Sequence, residues 1–300
     1  CYDYLSVTAL TMTLTFEYLQ SSGTMAVTSV AAGSAARLNI TAYNSSYTHK
    51  VTWKFGSYTA TQSIAAGAAY ASYTIPLSWL AAIPNATSGA ATVTLETIDI
   101  SGASLGSYSY GFTVTAPSSV VPSISSVTAS PVNDNSVVAG WGIYVYGKSK
   151  AKLTINGVAG AYGSTIRSYS ITTSPNVGSG SAASYTTGLL YSSGTITVTA
   201  KVTDSRGRTA TKTTTFSVYA YSAPYFSSVE SYRCNSSGTR DDVNGTYARI
   251  LATFGRSTLN GSNNVSCRLV MTQIGGSYST SATLTSGTAV ILGGGNLAVD

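Results

Sequence analysis

One residue could serve as a general base. His49, the sole histidine, stands in SSYTHKVTW at or just before an alternating run. In a nucleophilic triad it would need a carboxylate within hydrogen-bond reach. The ordinary reading is a surface histidine at a strand start. The ten acids hold one close pair, Asp241 and Asp242. Neighbours on a strand point to opposite faces, so this pair would not converge across a sugar as glycosidase chemistry requires. TRDDVNGTY (239–247) offers Asp241, Asp242 and Asn244 beside Gly245, but it lacks the spaced acids and closing Glu of a calcium loop. A hairpin loop with an Asn-Gly turn is expected there. Asp204, in VTDSRGRTAT, is expected to open a tight turn between two strands. Cys1, Cys234 and Cys267 show no paired spacing, so neither a zinc site nor a disulfide framework is read from them. Cys234 and Cys267 could pair if their strands face each other, although two small buried thiols are the simpler reading. No catalytic residue, metal or cofactor is assigned.

The sharpest surface feature is WGIYVYGKSKAKLTI (141–155). As one continuous strand it would turn Ile143, Val145, Ala151, Leu153 and Ile155 to a core. Tyr144, Tyr146, Lys148, Lys150 and Lys152 would then line the opposite face. That stripe would suit an anionic polymer or sugar stacking. In the plainer alternative, Gly147 or GKSK breaks the strand and the lysines are solubilising, edge-protecting charges.

What must position these residues is a β framework. In 300 residues, charged groups are only 9% and Ser and Thr together roughly 30%, with 22 Tyr and 29 Gly. Fillers of helix surfaces are scarce. Apolar content of 43% argues against disorder. The net charge of +6 sets 16 cations, most of them scattered, against 10 acids, which is no nucleic-acid footprint. Ile64–Pro84 is uncharged but rich in Ala, Gly, Ser and Tyr, so no membrane span is expected. No signal peptide is visible at the start.

Alternation with period two predicts strands around 37–42, 50–55, 108–114, 195–203, 246–254 and 265–272. GSYTATQSIAAG, IPNATSG, DISGASLG, TSPNVGSGS and LNGSNN read as turns. SWLAAI reads as one short turn of helix. APSSVVP (116–122) and YAYSAP (219–224) read as linkers, each followed by a similar strand, PSISSV and PYFSSV, 102 residues apart. That is the length of one β-sandwich. The expected organisation is all-β, tandem immunoglobulin-like sandwiches at 1–118, 119–222 and 223–300, the third incomplete at its C-terminal end. Seven N-x-S/T sequons exceed chance only weakly in so hydroxyl-rich a chain.

NSSYTHKVTWKFGS, IPLSWLAAIPNATSGAATVTLET and FTVTAPSSVVPSIS resemble segments of a family of minor structural proteins of tailed phages of Gram-positive bacteria. WGIYVYGKSKAKLTI, GAYGSTIRSYSI and TITVTAKVTDSRGRTATKTTTFSVYAYSAP resemble its next module, and YRCNSSGTRDDVNGTYARI the one after. The likeness runs in order from about residue 34 to 300. It implies a virion component of the tail tip, baseplate or a fibre, built from immunoglobulin-like modules, with no catalytic motif to carry over. The expected partners are other tail proteins, further copies of the chain and host cell-wall glycan. An extracellular adhesin or filament subunit is the competing class. A third possibility is the binding modules of a wall hydrolase whose catalytic domain lies elsewhere.

Overall fold

The computed structural model describes residues 19–272, 277 and 279–294. The chain is nearly all β, as composition and alternation require. The first stretch supplies β1 (Ser22–Met25), β2 (Ser29–Ala31), β3 (Ala35–Thr41), β4 (Thr48–Phe55), β5 (Tyr58–Ile64), β6 (Tyr70–Thr74), β7 (Ser88–Ile98) and β8 (Ser104–Thr115). A 3-10 helix, Leu77–Ala82, sits between β6 and β7 where SWLAAI marks it. The strands form two sheets, β1-β3-β6 and β2-β8-β7-β4-β5. All pairs in them are antiparallel except β2 with β8, which run parallel.

Alternation places Leu38 and Ile40 of β3, Val51, Trp53 and Phe55 of β4, and Val93 and Leu95 of β7 in the space between the sheets. Trp53 is the hub: its ring meets Phe112 edge-on at 6.0 Å and Tyr73 at 6.2 Å, and Trp79 of the 3-10 helix extends the cluster. The buried indole N–H finds an acceptor in Gln62 Oε1 at 3.0 Å, as a buried Trp needs. β5 corrects the sequence reading, since GSYTATQSIAAG contains a strand and not only turns. It is an edge strand whose inward side chains, Tyr58, Ala60, Gln62 and Ile64, are half-buried, so the hydrophobic alternation that marks inner strands is muted. DISGASLG does turn: Asp99 Oδ1 accepts the Ser101 hydroxyl and the N–H groups of Ala103 and Ser101, and these bonds, the hydroxyl's first, hold its carboxyl below the usual range.

The next stretch supplies β9 (Ser123–Val132), β10 (Tyr144–Val145), β11 (Lys150–Ala159), β12 (Ile166–Ser174), β13 (Ser184–Thr186), β14 (Gly194–Asp204) and β15 (Thr209–Tyr219). Their sheets are β10-β15-β14-β12 and β13-β11-β9. β10 pairs parallel with β15, repeating the β2–β8 arrangement. On β14, Ile196, Val198, Ala200 and Val202 are all buried, and the threonines between them face outward.

The last stretch supplies β16 (Tyr225–Cys234), β17 (Tyr247–Gly255), β18 (Cys267–Thr272), β19 (Ser279–Leu284) and β20 (Ala289–Gly293), in sheets β16-β17-β20 and β18-β19. β9 and β16 begin 102 residues apart, where the repeated PSISSV and PYFSSV segments place them. Few apolar residues are buried here: Cys234, Ile250, Ala252, Leu259 and Leu284 among the described ones. Phe226 and Val229 of β16 lie opposite Phe254 and Ala252 yet remain exposed.

The chain resolves into two compact units. Unit 1 holds the chain up to Ser126 with Gly157–Tyr169 and Lys201–Thr211. Unit 2 holds Val127–Asn156, Ser170–Ala200 and the chain from Lys212 onward. Their division does not follow the two Pro-containing linkers. No helix of the described residues is long and apolar enough to cross a membrane.

Candidate functional site

The five stripe residues do not share one strand face. Gly147 takes a left-handed conformation (φ 65°), which a residue without Cβ adopts freely. It turns the chain over Tyr146–Lys148, so strand ends at Val145 and resumes at Lys150. Ser149 is buried inside this turn and its hydroxyl accepts the Val145 N–H at 2.9 Å. Tyr144 therefore points inward. It is 8% exposed and packs on Phe216 with ring centroids 4.4 Å apart, and burial pushes its phenol up to about 12. The strand is thus broken at Gly147, as the plainer alternative has it, while Val145, Ala151, Leu153 and Ile155 are buried as expected and Tyr144 is the stripe residue that joins them inside.

The other four diverge. Tyr146 meets Tyr191 edge-on at 5.9 Å. The Lys148 ammonium lies over the Tyr221 ring, 5.7 Å from its centroid. Lys150 Nζ pairs with Asp134 Oδ2 at 2.7 Å. Lys152 is exposed on β11, opposite Thr186. Lys148 and Lys150 line an open cleft of about 300 Å³ with Val132, Asp134, Asn135, Gly147 and Leu189. That is the lower end of the size that ligand clefts have, roughly 300–1,000 Å³.

His49 is not on the surface. It is 1% exposed on β4, opposite Ile64 and Thr97. Neither ring nitrogen has a hydrogen-bond partner, and burial lowers its pKa. A triad base needs an orienting acceptor and an open face, and this imidazole has neither. The signal was in the alternation: His49 has the parity of Val51, Trp53 and Phe55, all core residues.

Asp241 closes the β16–β17 loop, its Oδ1 accepting the Val243 and Asn244 N–H groups at 3.3 and 2.8 Å. The loop turns at 242–244 and so is capped by Asp241 in place of the expected Asn-Gly turn. Asp242 pairs with Arg240 at 2.8 Å. Cys234 and Cys267 are both free.

The tight turn after Asp204 forms as expected, its Oδ1 accepting the N–H groups of Arg206 and Arg208 at 3.0 and 2.8 Å. What the sequence did not show is its arginine. Arg206 is 6% exposed. Its guanidinium donates to the carbonyl oxygens of Leu80 (2.8 Å), Ile83 (3.1 Å), Ala161 (2.5 Å) and Tyr162 (2.6 Å). Burial lowers its pKa and Asp204 opposes that effect. Around it, Ser205 Oγ donates to the Pro84 carbonyl, Arg208 to the Ala116 carbonyl and Ser164 Oγ to Asp204 Oδ2. The β14–β15 turn is thus clasped to the 3-10 helix end of the first sandwich, all within unit 1. A planar fork of five donors suits such a set of converging carbonyls. No local pattern announces it, because the acceptors at Leu80 and Ile83 lie more than 120 residues away in sequence.

Among solved structures, the chain is similar to fibronectin(III)-like modules of Clostridium thermocellum CbhA. The identity is 14%, the TM-score 0.26, and the match covers 66% of this chain and 95% of that one. It is also similar to a Ca2+-stabilized adhesin of an Antarctic bacterium (14%, TM-score 0.36, 94% and 67% covered). A 1.5-MDa bacterial ice-binding adhesin matches as well (15%, TM-score 0.38, 91% and 85% covered). A search of curated protein sequences returns no significant match. The family described as Siphovirus protein of unknown function (DUF859) matches over residues 3–244, most of the chain. The chain therefore belongs to this siphovirus family.

Proposed function

We propose that the chain is a non-enzymatic structural protein of the virion, sited in the tail tip, baseplate or a fibre, where it acts as a spacer and offers a surface to the host cell envelope. The observation that carries this reading is the Arg206 clasp. A surface loop tip is ordinarily mobile, yet here a hairpin turn is fixed to a sandwich by side-chain bonds from Arg206, Arg208 and Ser205. Such a joint serves stiffness. The residues with catalytic types support the same reading: His49 is enclosed in the core and Asp241 is engaged by its own loop. Closed symmetry is common among assemblies, so in the tail it joins other tail proteins and further copies of itself, as a trimer or hexamer.

The test is to purify virions on a density gradient, identify the chain by mass spectrometry and locate it with gold-labelled antibody. Label on the tail supports the proposal. A chain found only in the lysate and never in particles refutes it. Sedimentation of the full chain as a monomer at high concentration would refute the oligomer.

A further inference from the structure

Leu189, which lines the cleft beside Lys148, also lines a second cleft of about 380 Å³, together with Asn176, Val177, Gly178, Tyr191 and Ser192. Both lie wholly within unit 2. Leu189 and Tyr191 are 41% and 67% exposed, so both offer apolar surface to a ligand. The Tyr191 ring is steadied by Tyr146. The second cleft is also lined by Asn176, whose Oδ1 accepts the Gly178 N–H at 3.1 Å and whose amide NH2 is left to donate, and by the Ser192 hydroxyl. In the first cleft, Asp134 already neutralises Lys150, whereas the Lys148 ammonium, over the Tyr221 ring, has no carboxylate contact among the described residues.

We propose that this double cleft binds an anionic glycan. A sugar ring lies on Tyr191 and Leu189, its hydroxyls meet Asn176 and Ser192, and a phosphate or carboxylate one link away meets Lys148. Each part follows from its chemistry. An exposed aromatic face complements the C–H face of a pyranose, amide and hydroxyl groups match sugar hydroxyls, and a single uncompensated ammonium selects one negative charge. One such cation is too few for a nucleic acid, whose binding needs several phosphate contacts. The inference rests on the envelope-contact part of the proposed function and names its ligand class.

The test uses the full chain in calorimetric titrations. The probes are glucose-substituted poly(glycerol phosphate), the same polymer without glucose, polygalacturonate, dextran and duplex DNA. Binding of the glucosylated polymer or of polygalacturonate, with the bare polymer, dextran and DNA at least about tenfold weaker, is expected, and the stronger of the first two identifies the anion as phosphate or carboxylate. Tyr191→Ala should weaken binding about tenfold at any salt concentration. Lys148→Ser should weaken it by roughly fivefold at low salt and less at high salt. Lys152→Ser, outside both clefts, should leave it unchanged. Tyr191 and Lys152 are exposed and Lys148 is half-buried, and melting curves check that the variants fold. Failure of both anionic glycans to bind, equal binding of the bare polymer or DNA, or indifference to Tyr191→Ala overturns the inference. Absence of the chain from virions would instead sink the proposed function, since binding is measured on the isolated protein.

Discussion

Replacing Arg206 with alanine tests the clasp directly. The change removes four charge-assisted hydrogen bonds, to Leu80, Ile83, Ala161 and Tyr162. Bonds from a charged donor are worth about 1.5–3 kcal/mol each. Simple addition overshoots, because the guanidinium no longer has to be held out of water, a relief of several kcal/mol, and water reaches some of the freed carbonyls. A net loss of about 3–5 kcal/mol is expected. For a unit of about 150 residues, each kcal/mol moves Tm by roughly 2–4 °C, so the unit should melt about 10–15 °C lower. Arg206→Lys keeps the charge but reaches fewer carbonyls, and should lose about half as much. Arg167, exposed in the same unit, is the control: Arg167→Ala should stay within about 0.5 kcal/mol. Calorimetry on the full chain, with limited proteolysis around 204–208, reads both outcomes. An Arg206→Ala protein that melts within 2 °C of the parent, with its turn still resistant to protease, would refute the reasoning.

Other predictions concern the core and the thiols. His49 has its folded pKa lowered below the unfolded value near 6.5. The unfolded chain therefore binds the proton first, and stability is complete above pH 6.5 and falls as pH drops below it, by at most ~1.4 kcal/mol per pH unit. Urea unfolding at pH 7.5 and 5.5 should show this loss, and His49→Leu should remove it; an equal loss in the variant refutes the assignment. Trp53→Ala should cost about 3–5 kcal/mol, seen as a lower urea midpoint, because the indole is fully buried among Tyr73 and Phe112. Gly163 has φ +83° and its missing Cβ would stand 3.1 Å from Ala81 Cα. Gly163→Ala should therefore destabilise unit 1 by ~1–2 kcal/mol, and an unchanged melting temperature would contradict that. In a Cys1→Ser background, a thiol reagent should label the part-exposed Cys267 in the native protein and the buried Cys234 only after unfolding; equal rates would count against the fold of the last stretch.

The inner strands were legible because burial imposes period two, and β14, with Ile and Val alternating with Thr, displays it most plainly. Edge strand β5 escaped because only half-burial acts on one of its faces, so Ala60 and Gln62 can stand where inner strands need Val or Leu. The continuous-strand reading of the Tyr144 stripe broke at one backbone dihedral, the turn at Gly147 that the plainer alternative had named. Past the turn the parity held, since Ala151, Leu153 and Ile155 are buried as read, and Tyr144 is the stripe residue that lies on the core side instead. His49 was legible by parity but was judged by its polarity. Arg206 and the double cleft depend on groups brought together from distant segments, Ile83 with Arg206 and Asp134 with Leu189, which no local pattern encodes.

The parallel pairs β2–β8 and β10–β15 bear on how the chain carries load. In each, a short early strand lies beside a later, long strand and runs in the same direction. Tension between the point where the chain enters and the point where it leaves slides the two strands past one another. The pairings of Ser29, Val30 and Ala31 with Thr113, Val114 and Thr115 then share the force and must rupture together, where an antiparallel hairpin pulled from its open end would peel bond by bond. Resistance to pulling is set by the rate of that rupture and not by equilibrium stability. Pulled from its two ends, the chain would thus be toughest along the direction in which the polypeptide threads these sheets.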